Sequence, residues 1–432
     1  MRHVVILGAG IIGLGVAVEL IWRGAQVTLI DPRTPGSAAS SGNTGWVVPA
    51  LSAPVPAPGL PLQVARWMLQ RDSPFRIDVS SVPGNYRWLS QFWNHCNPVA
   101  HRQGLLAQGR LNVESYDGYR RWQAAGLSFE HDQPGVTFVA EQAEHIEHII
   151  DELNVLAPWG YLSANRMNAS ELRAAFPAMS STVQGGVHAP GEQFVRPESV
   201  ISALVDTIIP HGMIHRSAVD SVESRGSRVT GVRAGNVVID ADAAVIATGA
   251  WMAETGRLFG LDLPIVAGKG YSITVQDPEI SLGGPLYLAD EKIACTPFQC
   301  ANRFAGMMEL TGTDESMDAT RIASMTAALD RRLPGWSRGS KRSMWAGLRP
   351  MTPDGLPLIG KIPELENVYV AGGHGMLGVT MAPVTGEIIA ELIMDGETRH
   401  DLTAFRPDRF QVLDQIMQTR LPGRDRRAGL TN

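Results

Sequence analysis

Short apolar runs that close on glycine or on an acid recur along this chain and predict buried strands: Val4 to Leu7, Gln26 to Ile30, Ala241 to Ala247 and Val368 to Ala371. Apolar stretches of helical length follow the first and the last of these, from about Gly13 to Arg23, where Gly24 ends the helix, and from about Val379 to Met394. From Val64 to Gly126 the period is helical, with Trp67, Trp88, Phe92 and Trp93 as bulk and Leu111, Ser115, Tyr119 and Trp122 at helical spacing. Val136 to Ala140 reads as a strand, Glu141 to Ala157 as an amphipathic helix, and Glu198 to Ile209 as a helix entered through Arg196 and Pro197. Met213 to Val222 and Arg228 to Ala234 read as strands joined by a hairpin at Arg225-Gly226-Ser227, and Lys269 to Val275 and Phe304 to Thr311 as strands of a second domain. Two stretches lack a period. Ser37 to Thr44 is small and hydroxyl-bearing; in Pro49 to Pro61, Pro54, Pro56, Pro58 and Pro61 exclude a helix and a central strand, leaving an ordered lid or a surface excursion.

Strands alternating with helices predict an α/β fold, and 432 residues at 44% hydrophobic and 19% charged are globular and too many for one ordinary core. The 37 basic and 43 acidic residues give a net charge of −6 without a basic block, which excludes a nucleic-acid footprint. Cys96, Cys295 and Cys300 lack CxxC spacing, so neither a disulfide framework nor a metal site is expected, and a reduced cytoplasmic setting fits. Arg2 and His3 followed by apolar residues to Val18 mimic a signal peptide, but Glu19 interrupts the run and the same residues build a glycine motif, so they read as mature structure. No uninterrupted apolar stretch reaches the ~20 residues a bilayer requires, which leaves at most peripheral association with the inner face of a membrane.

That glycine motif is Gly8-Ala9-Gly10-Ile11-Ile12-Gly13 between the first strand and its helix. Gly8 permits the tight turn, Gly10 leaves bare backbone for a pyrophosphate, Gly13 lets helix and sheet pack closely, and the helix points its positive end at the phosphates. Asp31, closing the second strand, suits ribose hydroxyls and repels a 2′-phosphate, which favours NAD or FAD over NADP. A second glycine turn, Thr248-Gly249-Ala250-Trp251, follows the strand at 241–247, where ligand touches backbone in a doubly wound sheet. A third, Gly372-Gly373-His374-Gly375-Met376-Leu377-Gly378, opens the last helix, whose free amides suit an anionic ring such as a reduced flavin; His374 is a ligand contact or a backbone cap. Arg349 stands in an apolar segment punctuated by Gly347, Pro350, Pro353, Gly355 and Pro357 and needs an anion: a ligand carboxylate, or a protein acid such as Asp354.

Taken with Ser41-Gly-Asn-Thr-Gly45, Gly270-Tyr-Ser272, Gly347-Leu-Arg-Pro350 and Pro353-Asp-Gly-Leu-Pro-Leu-Ile-Gly360, these motifs resemble the FAD-dependent D-amino-acid oxidase and dehydrogenase superfamily over nearly the whole chain, and bacterial D-amino-acid dehydrogenase most of all. The resemblance implies a Rossmann-type FAD-binding domain, residues 1–95, 195–255 and 340–432, and a discontinuous α+β substrate domain on a mixed sheet, residues 96–194 and 256–339. It implies FAD held by Gly8, Gly10, Ile11, Ile12, Gly13, Asp31 and Pro32, by Ser40, Ser41, Asn43, Thr44, Gly45 and Trp46, by Val219, Ala247, Thr248, Gly249, Trp251 and Gly347, and by Gly373, His374, Gly375, Met376, Leu377, Gly378, Val379 and Thr380. With no cysteine or histidine in Ser40 to Thr44, covalent attachment there is not supported. Trp46 and Pro383-Val384 depart from the dehydrogenase pattern, and a bulky indole over the flavin would reshape the pocket.

The implied reaction is oxidative deamination of a D-amino acid, or of a cyclic imino acid such as D-proline or hydroxyproline, by hydride transfer to flavin N5. Arg349 would clamp the carboxylate, and Tyr271 would either donate to that carboxylate or be a strand aromatic in the core. The expected partners are an amino-acid substrate and an electron acceptor, quinone or oxygen, and homo-oligomerisation stays open. Two alternatives remain: a glycine- or sarcosine-type oxidase that releases peroxide, and a flavin-binding assembly subunit without turnover.

Overall fold

Alternate residues of the first strand, His3–Leu7, serve two cores: Val4 and Ile6 pack on one face of a sheet, Val5 and Leu7 on the other. In this computed structural model, which describes residues 1–68, 73, 75–77, 83–141, 143–161 and 163–410, that sheet runs Gly212–His215, Gln26–Ile30, His3–Leu7, Ala243–Ile246, Val368–Gly372, Leu358–Lys361. All neighbours are parallel except the last pair. One face carries the helix Ile11–Trp22, buried nearly all round because Gly378–Met394 packs on its outer side. The other carries an antiparallel sheet, Ser221–Arg225, Arg228–Ala234 and Val237–Asp240, and the helix Met252–Leu258.

Pro383 lies inside the helix Gly378–Met394 and cannot donate to the carbonyl one turn back, that of Val379. The Tyr119 hydroxyl donates to that carbonyl at 2.7 Å instead, which gives the buried phenol its partner and the helix its missing bond.

A second, nine-stranded mixed sheet has the order Lys341–Met351, Val266–Gln276, Ala301–Leu310, Ile293–Phe298, Leu286–Leu288, Val136–Ala140, Gly185–Ala189, Asn165–Asn168, with Phe75–Ile77 beside Ala301–Leu310. Lys341–Met351 pairs with Val266–Gln276 along its whole length, so this part of 340–432 lies in the second sheet and not with the nucleotide fold. Residues 411–432 lie outside the described residues.

Three element assignments change. The stretch 213–222 is two strands in different sheets, Gly212–His215 and Ser221–Arg225, because the chain leaves the first sheet between them. The helical region holds Leu60–Trp67, Tyr86–His95, Pro98–Val113 and Ser115–Ala124, but Phe75–Ile77 is a strand, and 69–72, 74 and 78–82 lie outside the described residues. Pro61 sits in the first turn of a helix, where a missing N–H costs no hydrogen bond.

Candidate active site

The glycine turn, the hydroxyl-rich loop and the long strand at 341–351 enclose one continuous cavity of about 1300 Å³, above the ~300–1000 Å³ usual for a single small ligand. At its nucleotide end the three glycines do different things. Gly8 has φ +104°, and a Cβ there would lie 2.4 Å from the Ala247 oxygen; a Cβ at Gly13 would lie 2.0 Å from the Gly8 oxygen. Gly10 has ordinary extended backbone, and a Cβ there would meet only Ser40 Oγ, at 3.5 Å. The protein needs glycine at Gly8 and Gly13 for its own packing, whereas the bare face of Gly10 opens on the cavity. The Asp31 carboxylate is fixed at the wall, its oxygens accepting from Ala9 N and Arg33 N, each at 2.8 Å. Ser40 Oγ accepts from Ile11 N at 3.0 Å.

Of the residues expected to hold the cofactor, Gly13, Ser41, Gly45 and Gly373 do not line the cavity. They shape the backbone instead. The Ser41 carbonyl accepts from Arg303, Gly45 has φ +70° with the Val195 oxygen 1.8 Å from where its Cβ would be, and Gly373 has φ +76° against Thr352. The others line it, including Ile12, Pro32, Asn43, Thr44, Val219, Thr248, Gly249, Trp251, Gly347, Gly375, Met376, Leu377, Gly378, Val379 and Thr380. Cys295 and Cys300 do not.

Trp46 is buried in the wall, donating from Nε1 to Thr296 Oγ1 at 2.8 Å while its carbonyl accepts from Thr380 Oγ1 at 2.9 Å. His374 is also buried; Nε2 is 3.0 Å from Thr385 Oγ1, and Nδ1 has no partner among the described residues. Burial pushes its pKa down to about 3, so the ring is neutral and holds one nitrogen ready for a bound group. The bare face of Gly10 and this orphaned nitrogen fit a flavin dinucleotide laid along the cavity.

Arg349 lies further along the same cavity. Its Nη1 donates to the Met307 carbonyl at 2.8 Å, and Met307 has φ +63° at a bulge between Val266–Gln276 and Ala301–Leu310, which turns that carbonyl toward the guanidinium. No carboxylate among the described residues pairs with it. Asp354, the alternative partner, is taken by Arg409 at 2.7 and 2.9 Å. Burial draws the Arg349 pKa down to about 10, which leaves it a cation at neutral pH. A Cβ at Gly270, on the paired strand, would lie 2.0 Å from Arg349 Nη1. Gly270→Ala is therefore expected to shift the guanidinium and raise the KM for an anionic substrate about tenfold with little change in melting temperature, as steady-state kinetics and thermal melts will measure.

Tyr271 also lines the cavity. Its hydroxyl donates to Glu309 Oε2 at 2.5 Å, Glu309 Oε1 takes Arg321 Nε at 2.6 Å, and all three residues are buried. Tyr271 thus lines the cavity with its hydroxyl already donated to a buried carboxylate. The phenol beside Arg349 is Tyr287, whose ring meets Trp46 and Phe138 edge-on at 6.0 and 5.8 Å. Burial pushes its pKa up to about 12, against the pull of Arg349. The alternation Leu286-Tyr287-Leu288, two buried leucines flanking a tyrosine, is the signal that would have found it.

The proline-rich stretch lines the cavity with Ala53, Pro54, Val55, Ala57 and Pro58, as a lid does. His101 ties it down: Nδ1 is 3.0 Å from the Pro56 oxygen, and Nε2 is 3.5 Å from Glu152, which raises the histidine pKa. A raised folded-state pKa gives stabilisation that is complete below about 6.5 and lost as pH rises through the folded value. Hydrogen exchange at Val55 and Ala57, corrected for intrinsic rates, is expected to be slower near about pH 6 than about pH 8. His101→Gln should remove that difference.

No described helix is long and apolar enough to cross a membrane. The family model described as FAD dependent oxidoreductase, DAO, matches residues 3–392. Among solved structures, glycine oxidase from Geobacillus kaustophilus superposes with TM-score 0.73 at 21% identity, over 95% of this chain and 99% of that one. L-proline dehydrogenase from P. horikoshii gives 0.76 at 19%, over 95% and 98%. Iminodiacetate oxidase from Chelativorans sp. BNC1 gives 0.74 at 21%, over 94% and 98%. The glycine cradle, the cavity beyond it and a match that runs through nearly all of the chain lead to one assignment: this protein belongs to the DAO family of FAD-dependent oxidoreductases.

Proposed function

We propose that this protein oxidises the carbon–nitrogen bond of an amino or imino acid, and that it works as a dehydrogenase on D-amino acids, passing electrons to a quinone-type acceptor. The observation that carries the reading is Arg349, a cation in the cavity of a flavin fold with a backbone carbonyl, but no acid among the described residues, for a partner. A buried guanidinium without an anion is costly, and its planar fork fits a carboxylate through two hydrogen bonds. Glycine and L-proline, in the names of the neighbours, are both compounds with nitrogen next to a carboxylate.

FAD, when bound, supplies a two-electron oxidant that accepts hydride from the substrate α-carbon. Arg349 binds and orients the carboxylate, and the Tyr287 phenol donates to the same group. With the carboxylate fixed, the α-carbon has one approach, and the wall of Trp46, Tyr287 and Phe138 receives one side of it and so sets the configuration accepted. The proline-rich lid excludes water. Hydride leaves the α-carbon as the lone pair of the neutral amine forms the C=N bond, so the substrate sheds its ammonium proton before the transfer and the rate rises with pH through the bound amine pKa without a side-chain base.

Anaerobic addition of D- and L-amino acids, glycine, sarcosine and D-proline to the holoenzyme tests the reading through loss of the visible flavin absorbance. Bleaching by D-amino acids, followed by dye or quinone reduction without peroxide, is expected. Peroxide release during turnover would make the protein an oxidase, and a flavin that no member of the panel reduces would overturn the reading.

A further inference from the structure

The acids on the Arg349 side of the cavity already have side-chain partners. Asp290 is 2.7 Å from His145, Glu152 lies 3.5 Å from His101 and 3.4 Å from His148, and Glu141 pairs with Arg332. Of the arginines and lysines that line the cavity, Arg33 pairs with Glu315, and Arg349 and Lys292 have no acid partner among the described residues. Lys292 has φ +55° in the turn between Leu286–Leu288 and Ile293–Phe298, just beyond Tyr287, and lines the cavity without a hydrogen bond or ion pair. The Lys292 backbone and the Arg349 guanidinium meet consecutive residues of one strand: a Cβ at Gly306 would lie 3.1 Å from the Lys292 carbonyl oxygen, and the Met307 carbonyl accepts from Arg349 Nη1 at 2.8 Å. Lys292 is exposed to solvent on the cavity wall; neighbouring protein lowers its pKa, and Asp290 and Glu152 offset this from beyond ion-pair distance.

We infer that the substrate carries a second anionic group: it is an amino or imino dicarboxylic acid, one carboxylate held by Arg349 and the other by Lys292. The inference rests on the proposed function, since it places the first carboxylate on Arg349. An ammonium on a flexible stem accepts second carboxylates at several distances, so Lys292 sets charge preference and not chain length.

The test separates binding from turnover. Malonate, succinate and glutarate, each beside its monoamide, are titrated into the holoenzyme and followed by the flavin difference spectrum, while acidic amino acids and their amides are compared as substrates in anaerobic reduction. Wild type is expected to bind at least one diacid about tenfold or more tighter than its monoamide. Lys292→Met should bring that ratio within about threefold of unity and Lys292→Arg should retain it, with melting temperatures confirming that both variants fold. Equal binding of diacid and monoamide by wild type, or an undiminished ratio in Lys292→Met, overturns the inference while leaving amino-acid oxidation standing. A diacid preference without reduction of the flavin by any amino acid would instead overturn the proposed function.

Discussion

Arg349→Met is expected to weaken binding of an amino-acid substrate at least about thirtyfold, the loss of a two-point guanidinium–carboxylate contact worth about 2 kcal/mol or more. Methionine keeps the apolar stem and removes the charge. Among the described residues it abandons the Met307 carbonyl and a weak contact to Met308 Sδ at 3.8 Å, and the bulge keeps its backbone pairing with Val266–Gln276. Because the wild-type guanidinium is desolvated without a compensating acid, its removal should leave the melting temperature unchanged or raised, whereas removing one partner of a buried ion pair lowers it. Flavin content should stay stoichiometric. Kinetics, flavin absorbance and thermal melts on one preparation give the pattern: KM up, stability kept, cofactor kept. A near-normal KM would take the carboxylate off Arg349, and the reading of the cavity with it.

The nucleotide half of the molecule was readable because local rules decide it. The run Val4 to Leu7 can only be a strand buried on both faces, and Gly8 and Gly13 are required by contacts to nearby backbone. The second half depends on pairings between distant segments. Nothing around 341–351 says that this stretch lies along 266–276 in the larger sheet, and nothing near Asp354 says that Arg409 holds it. The choice between Tyr271 and Tyr287 shows the limit most clearly. Both sit on strands and both line the cavity, and alternation does not say which hydroxyl is already taken by a buried acid. The carbonyl partner of Arg349 was equally hidden: it lies at a bulge beside Gly306, and the positive φ of Met307 has no signature in a residue type that avoids that conformation. For the same reason Gly45 and Gly373, expected as ligand contacts, prove to be glycines for the sake of their own backbone.

Gly10→Val is expected to give a folded, colourless protein with FAD affinity lower by about a hundredfold or more, the consequence of placing a branched side chain in the open space that the dinucleotide would fill. The backbone at Gly10, φ −74° and ψ 175°, suits valine, and the nearest atom to an added Cβ is a serine hydroxyl at 3.5 Å, an ordinary contact. The chain itself therefore has no objection to the substitution, and melting of the apoprotein should change little. Gly13→Val is the control for the opposite case, because its Cβ would stand 2.0 Å from the Gly8 oxygen, and its product should be insoluble or unfolded. Titration of each purified protein with FAD, read by quenching of flavin fluorescence and by the protein-to-flavin absorbance ratio, distinguishes a lost ligand site from a lost fold. If Gly10→Val purifies yellow with one flavin per chain, the dinucleotide does not run over that residue and the first glycine turn is structural alone; if it fails to fold, the open face assigned to Gly10 is wrong.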